Sequence, residues 1–352
     1  MIKVADYILL VSTITIMLLL AEVGFRFVAY RKDVNTLESV GETSSIPKDG
    51  EVVNLGRIIR LSKNPHIIYE LIPSLSVIFT YKRLNRNVPI TINSDGFRGK
   101  AIPVDKHAQS KRIVGIGDSL MFGWGVNDDE TYLSLLSEQL NAKYPEMTWE
   151  IINMAVPGYN TVMEVETLKE KGLHYKPDIV IIHFCDNDFS LPNFIREQED
   201  YFALDQSFII KYFRGTLKTI KRIRPPRNSN GRIEDDPQRI PKQYRDMVGV
   251  QAYYRAMEEL KALSIKHKFD VVVLAYRPNA RIKKICKQLG LRMVEMFSLW
   301  QRYASEQGIL DADGVWRIIP KDFHPSAIAH KFIANTLSET VVQLNLNNPE
   351  IR

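Results

Sequence analysis

Uncharged residues run unbroken from 7 to 21 (YILLVSTITIMLLLA), and Val23, Gly24 and Phe25 extend the apolar stretch past Glu22. At about 1.5 Å of rise per residue, a helix over this run is roughly as long as the 30 Å hydrocarbon core of a bilayer. The segment is apolar all round rather than along one stripe, as a lipid-facing helix is. Glu22, Arg26, Phe27 and Tyr30 follow it, where a cleaved signal peptide would have a small-x-small site. The pattern predicts an uncleaved transmembrane anchor over 1–30. Arg26, Arg31 and Lys32 follow the run and only Lys3 precedes it. The positive-inside rule taken alone therefore puts the rest of the chain in the cytoplasm.

Residues 31–65 are polar and mixed, with Gly, Ser and Pro, and read as a linker. Residues 66–105 form a small strand-rich lead-in, with short strands over 67–80, interrupted at Pro73, and over 88–92, before the turn-rich Asn93-Ser94-Asp95-Gly96-Phe97-Arg98-Gly99. The period then changes. Apolar strands at 112–117, 149–154, 178–184, 270–276 and 291–294 alternate with amphipathic helices at 129–143, 161–173, 251–266, 279–289, 299–307 and 326–344. Near-continuous apolar strands separated by helices predict a three-layer α/β/α domain over 106–346, with a central parallel sheet buried on both faces. In such sheets the ligand sits beyond the carboxyl ends of the strands.

An insert at about 190–245 breaks this alternation. Ile209, Ile210, Phe213, Leu217 and Ile220 fall on one face at helical spacing, so a helix is expected from 209 to 223, followed by an exposed loop over 224–238. The insert fits a cap over the active site, a membrane-surface helix contacting anionic lipid, or a docking face for a partner.

Composition sharpens this picture at two points. Lys+Arg 47 exceed Asp+Glu 41, but 206–245 alone holds 11 basic and 3 acidic residues, leaving 36 against 38 elsewhere. The basicity is one local patch, which argues against a nucleic-acid-binding face. Two cysteines, Cys185 and Cys286, supply neither a disulfide scaffold nor a Cys-rich zinc site. The histidines show no metal spacing, and no metal or other cofactor is assigned.

Reactive groups stand where the strands end. The first core strand runs into Gly115-Ile116-Gly117-Asp118-Ser119-Leu120, whose glycines let the backbone turn sharply and present Ser119 at the tip. The second leads to Gly158, with a backbone N–H clear of any side chain, and the third to Cys185-Asp186-Asn187-Asp188, with the Asn187 amide as a donor. Asp322-Phe323-His324-Pro325 opens the last helix. A nucleophile, a base, an orienting carboxylate and two oxyanion donors are what acyl transfer through a serine ester requires. His330 is a rival base, but it lies within the expected final helix. Cys185, beside Asp186, reads as a structural thiol rather than a nucleophile.

This block order resembles the SGNH hydrolases, also called the GDSL family, in GDSL at 117–120, Gly158, Asn187 with Asp188, and Asp322 with His324. The resemblance spans about 110–345. It implies Ser119 as nucleophile, His324 as general base, Asp322 as the residue fixing the imidazole tautomer, and an oxyanion hole of the Ser119 N–H, the Gly158 N–H and the Asn187 amide. The chain departs from the family pattern twice. Cys185 stands where the third block usually has glycine, and Asp322 lies two residues before His324 instead of three, although in an extended segment i and i+2 face the same side. Asp-x-His variants resemble members found with membrane-bound O-acyltransferases. The resemblance implies an extracytoplasmic, membrane-anchored esterase or O-acyltransferase acting on acyl, chiefly acetyl, esters of envelope polysaccharide, with a membrane-bound O-acyltransferase as a candidate partner. The alternatives are a lipid or thioester hydrolase, marked by a long apolar tunnel near Phe122 and Trp124, and a non-catalytic assembly subunit retaining the fold.

Overall fold

A computed structural model describes residues 4–38, 46–81, 85–196, 202, 204, 206–214, 220–222, 240 and 242–346. The chain opens with helix α1 (Val4–Glu38). Short elements follow: β1 (Val52–Val53), α2 (Leu55–Ile58), β2 (Ile59–Leu61), β3 (Tyr69–Leu71), β4 (Leu75–Tyr81) and β5 (Arg86–Ile92). The alternation starts at β6 (Ser110–Gly117) and continues through α3 (Ser119–Phe122), α4 (Tyr132–Lys143), β7 (Thr148–Asn153), α5 (Thr161–Glu170) and β8 (Ile179–Phe184). After β9 (Phe194–Arg196), α6 (Phe208–Phe213) and β10 (Ile220–Arg222) it resumes with α7 (Val250–His267), β11 (Asp270–Ala275), α8 (Ala280–Leu289), β12 (Arg292–Glu295) and α9 (Met296–Glu306). The chain then forms α10 (Ala312–Trp316), β13 (Arg317–Ile319), β14 (Asp322–Pro325) and α11 (Ala327–Leu346).

Two compact units emerge, Met1–Ser44 with Phe194–Arg222, and Ser45–Asn193 with Ile223–Arg352. The larger is built on a five-stranded parallel sheet in the order β12-β11-β8-β6-β7. Helices cover both faces, because each central strand is apolar toward both. Val114, Ile116, Val180, Ile182 and Val273 pack with Leu168, Met257 and Leu260 in one continuous core. At about 25 cal/mol per Å² of apolar surface removed from water, each such side chain contributes roughly 1.5–3 kcal/mol. Beside the sheet, β4 pairs with β1 in parallel and with β5 antiparallel. Arg98 bridges Ile92 to Asn153, joining this lead-in to the edge strand β7.

Three expectations are corrected. The linker expected over 31–65 is not extended at either end: α1 continues to Glu38, and from residue 46 the chain carries β1, α2 and β2, with Val53, Ile58 and Leu61 buried. Mixed polarity hid these short elements because tertiary pairing, as of Ile59 with Leu71, forms them. The helix expected over 209–223 ends at Phe213, and Ile220–Arg222 is instead a strand antiparallel to Phe194–Arg196. Gly215 and Thr216 are poor helix formers, and strand pairing decides the rest. Leu217 and the loop expected over 224–238 lie outside the described residues. Gly115 and Gly117 serve close approach rather than a special backbone angle. A Cβ on Gly115 would lie 2.6 Å from Leu133 Cδ1, and one on Gly117 would lie 2.8 Å from Met121 Cβ.

Candidate active site

The carboxyl end of β6 passes directly into α3, so Ser119 is the first residue of a one-turn helix capped by Asp118, whose Oδ1 accepts the Leu120 amide at 2.9 Å. Gly123, with φ +89°, ends that turn in the left-handed region. The buried Arg98 clamps the loop beyond it. Its Nη1 donates to the carbonyls of Phe122 (2.8 Å) and Gly123 (2.7 Å), its Nη2 to Val126 (2.7 Å) and its Nε to Asp128 Oδ1 (2.8 Å). Charge-assisted hydrogen bonds of this kind are worth about 1.5–3 kcal/mol each, so the loop after Ser119 is rigidly held.

The C-terminal hairpin supplies the partners. On β14, Asp322 and His324 project to one side, and the imidazole Nδ1 hydrogen-bonds Asp322 Oδ1 while Nε2 lies 2.8 Å from Ser119 Oγ. A carboxylate only accepts, so Nδ1 carries the ring proton and Nε2 accepts from the serine hydroxyl. Trp124 stacks on the imidazole with ring centroids 5.5 Å apart, and the exposed Phe323 stacks at 4.9 Å. Phe79 and Tyr81 of β4 pack edge-on against Trp124, so the lead-in forms one wall of the site. Phe122 is fully buried, its ring centroid 4.7 Å from the Arg98 guanidinium.

The remaining sequence-predicted residues lie on the segments that follow β7 and β8. The Asn187 amide nitrogen donates to Tyr159 O at 3.3 Å, and its side chain helps hold the Asp118 carboxyl down. The segment bearing Gly158 runs beside β6, with the amides of Met154 and Val156 bonded to the carbonyls of Gly115 and Gly117. Gly158 has φ +82°, and a Cβ there would sit 2.2 Å from Asn193 Nδ2, so both backbone and space require glycine. Cys185 is in extended backbone at φ −129°, so replacing glycine costs nothing at that position. Burial, and then the charges of Asp118 and Asp188, push its thiol well above the ordinary range, opposite to what a nucleophilic thiolate needs.

Sequence reasoning gave no role to Asp118 and Asp188 behind the site and missed Glu164 altogether. Burial raises the Asp118 carboxyl, opposed by the Leu120 amide, His324, Asn187 and Ser119. Glu164 is pushed well above the carboxylate range, first by burial and then by Asp188 and Asp118, and Asp188 likewise, first by burial and then by Asp118. Both Glu164 oxygens and Asp188 Oδ1 are buried without a hydrogen-bond partner. Protonation of this pair is the cheapest way to hold it out of water. A lone Glu on α5 gave no signal in one dimension, whereas Arg98 was visible only as part of a turn-rich run.

A parallel sheet with Ser, His and Asp meeting beyond its carboxyl edge defines an α/β hydrolase of the SGNH type. Residues 116–332, well over half of the chain, match the GDSL-like Lipase/Acylhydrolase family, and the chain belongs to that family. Among solved structures, it is similar to a two-domain esterase active on acetylated mannans, at 17% identity and a TM-score of 0.42, over 66% of this chain and 49% of that one. The chain thus spans about half the length of that esterase. It is also similar to the lipase/acylhydrolase from Enterococcus faecalis (16% identity, TM-score 0.40, 66% and 95% of the two chains). An acetyl xylan esterase is similar at 14% identity and a TM-score of 0.40, over 65% and 99%. No curated protein sequence matches the chain.

Proposed function

We propose that this chain is a membrane-anchored serine esterase or O-acyltransferase acting on acyl, chiefly acetyl, esters of envelope polysaccharide. The observation that carries the reading is the continuous hydrogen-bond chain from Ser119 Oγ through the His324 ring to Asp322. In this reading Ser119 Oγ attacks the ester carbonyl while His324 Nε2 takes the hydroxyl proton, and Asp322 holds Nδ1–H and steadies the imidazolium. The amides of Ser119 and Gly158 and the Asn187 side chain receive the oxyanion, Asn187 exchanging its bond to the Tyr159 carbonyl for the developing charge. Collapse expels the alcohol with the proton from Nε2 and leaves an acyl-Ser119 ester. Water then regenerates Ser119 by hydrolysis, or an acceptor hydroxyl does so by transfer, through the same base.

The anchor reading is supported by the run Val4–Ala29, with mean hydropathy 2.3, whose side chains from residue 4 to 21 are exposed. The SGNH-type body then covers 106–346, with 66–105 as a lead-in that walls the site. The family resemblance supports placing this body outside the cytoplasm, against the arginine count, with a membrane-bound O-acyltransferase as the candidate partner. The test is mass labelling of Ser119 by a fluorophosphonate probe in intact membranes, together with turnover of p-nitrophenyl acetate. Label on Ser119 is expected, and Ser119→Ala should lose both label and turnover with thermal stability nearly unchanged. Wild-type-like turnover in Ser119→Ala would overturn the assignment and leave the non-catalytic subunit.

A further inference from the structure

Between Asp6 and Arg26 the only charged residue of α1 is Glu22, and a carboxylate inside an apolar run is expensive in a membrane. The smaller unit accounts for it. Glu22 accepts from Ser207 Oγ at 3.0 Å and from the amides of Phe208 (2.8 Å) and Ile209 (3.2 Å), and pairs with Arg26 Nε at 3.0 Å. Arg26 Nη2 in turn donates to Gln206 O at 2.8 Å, and its guanidinium lies 4.8 Å from the Phe208 ring centroid. This polar clamp satisfies its own charges and fixes α6 against α1.

Outside the clamp the surface is apolar. Phe25 packs on Tyr212 and Phe213, with ring centroids 4.8 and 5.9 Å apart. Phe213 is 77% exposed and Leu204 97%, and Ile210 and Tyr212 are also exposed. Large apolar side chains left this open are costly in water. On α1 itself Val23 and Phe27, on the side of the helix turned from Phe25, are exposed as well. Depth fits as well. Asp6 and Arg26 are twenty residues apart, about 30 Å along the helix, so the clamp stands one hydrocarbon thickness from the start of the run. Aromatic rings beside a lysine, here Tyr212 and Phe213 beside Lys211, suit the headgroup–acyl boundary.

We propose that Leu204 and the exposed face of α6 are a lipid-contacting foot, bedded in the interface of the bilayer that α1 crosses. The proposal rests on reading α1 as the anchor. It replaces charge attraction by the basic patch with apolar insertion beside the anchor as the main membrane contact of the insert.

Single nitroxide labels on the full-length protein in phosphatidylcholine nanodiscs test it. Ile16→Cys marks the middle of α1, Phe213→Cys the foot and Leu310→Cys an aqueous reference, all three exposed positions. Cys185 and Cys286 are buried, and the wild-type protein gives the labelling background. The ratio of oxygen to water-soluble nickel collisions should be highest at 16, several-fold above the aqueous reference at 213, and lowest at 310. A ratio at 213 equal to that at 310, with 16 still deep, would overturn the foot and leave the anchor standing. Collisions at 213 suppressed for both reagents would likewise overturn it in favour of a protein partner. An aqueous ratio at 16 would remove the anchor, and the foot with it.

Discussion

His324 and His330 are six residues apart, yet their rings occupy opposite environments. His324 lies in β14 with a side chain 13% exposed, a carboxylate on Nδ1 and a serine hydroxyl on Nε2. His330 lies in α11, fully buried, with Nδ1 accepting the Tyr132 amide at 3.1 Å and its ring stacked on Tyr132. Burial, reinforced by Arg98, His183 and His324, depresses its pKa to about 3. The residue type is the same, so the difference lies in the partners. A ring facing a carboxylate can take a proton and keep it briefly, whereas a ring enclosed by apolar groups and cations cannot. The buried ring serves instead as an acceptor that ties α11 to the start of α4.

The largest expected effect tests that division directly. His324→Ala should lower turnover of p-nitrophenyl acetate by about 10⁴-fold or more, with little change in melting temperature. Asp322→Asn should lose about 10⁴-fold by favouring the wrong imidazole tautomer. His330→Ala should do the reverse, costing about 2–4 kcal/mol of stability through a cavity and an unpaired Tyr132 amide while the folded fraction still turns over. Steady-state kinetics beside thermal unfolding separates the cases. A loss under about threefold for Asp322→Asn would reduce the proposed triad to a dyad, since removing such a carboxylate ordinarily costs far more.

A smaller effect sharpens the His324 side of the comparison. Asn187→Ala should lower kcat by about 10²–10³ with KM little changed, because its proposed charge partner exists only in the transition state. A rise in KM alone would make Asn187 a binding residue.

The contrast between the histidines was half legible in the sequence. The helical period placed His330 inside the last helix, and the spacing of Asp322 and His324 put both on one side of an extended segment, as β14 now has them. The five core strands were legible to within about two residues because they are buried on both faces, so their apolar runs need no partner to be recognised. What stayed hidden depends on contacts distant in sequence. The strand β13 that pairs with β14 carries no alternation, Arg98 reaches the loop after Ser119 from the lead-in, and Glu164 meets Asp188 only in the fold. The insert misled because its apolar spacing continued past Phe213 into residues that pair as a strand.

The smallest effect tests the buried ring through pH. An ordinary histidine has a pKa of about 6.5, whereas His330 is held at about 3, so between these values the unfolded chain binds a proton that the folded chain refuses. Stability from this residue is therefore fully present above the unfolded pKa and is lost as pH falls through that window, by up to about 1.4 kcal/mol per pH unit. His183, hydrogen-bonded to the Tyr132 hydroxyl at 3.0 Å and also depressed to about 3 by burial, acts with the same sign. Asp118, Glu164 and Asp188, raised by burial, act with the opposite sign and lose stability as pH rises. A difference measurement isolates His330 from all four. His330→Phe keeps a stacked ring on Tyr132 and removes the titration, so the stability of the wild type relative to this variant should decline steadily from pH 7 to pH 4. Thermal unfolding of both proteins across that range reads the gap. A gap constant with pH would mean that the folded chain accepts the proton at His330 after all, and the division between the two histidines would fail.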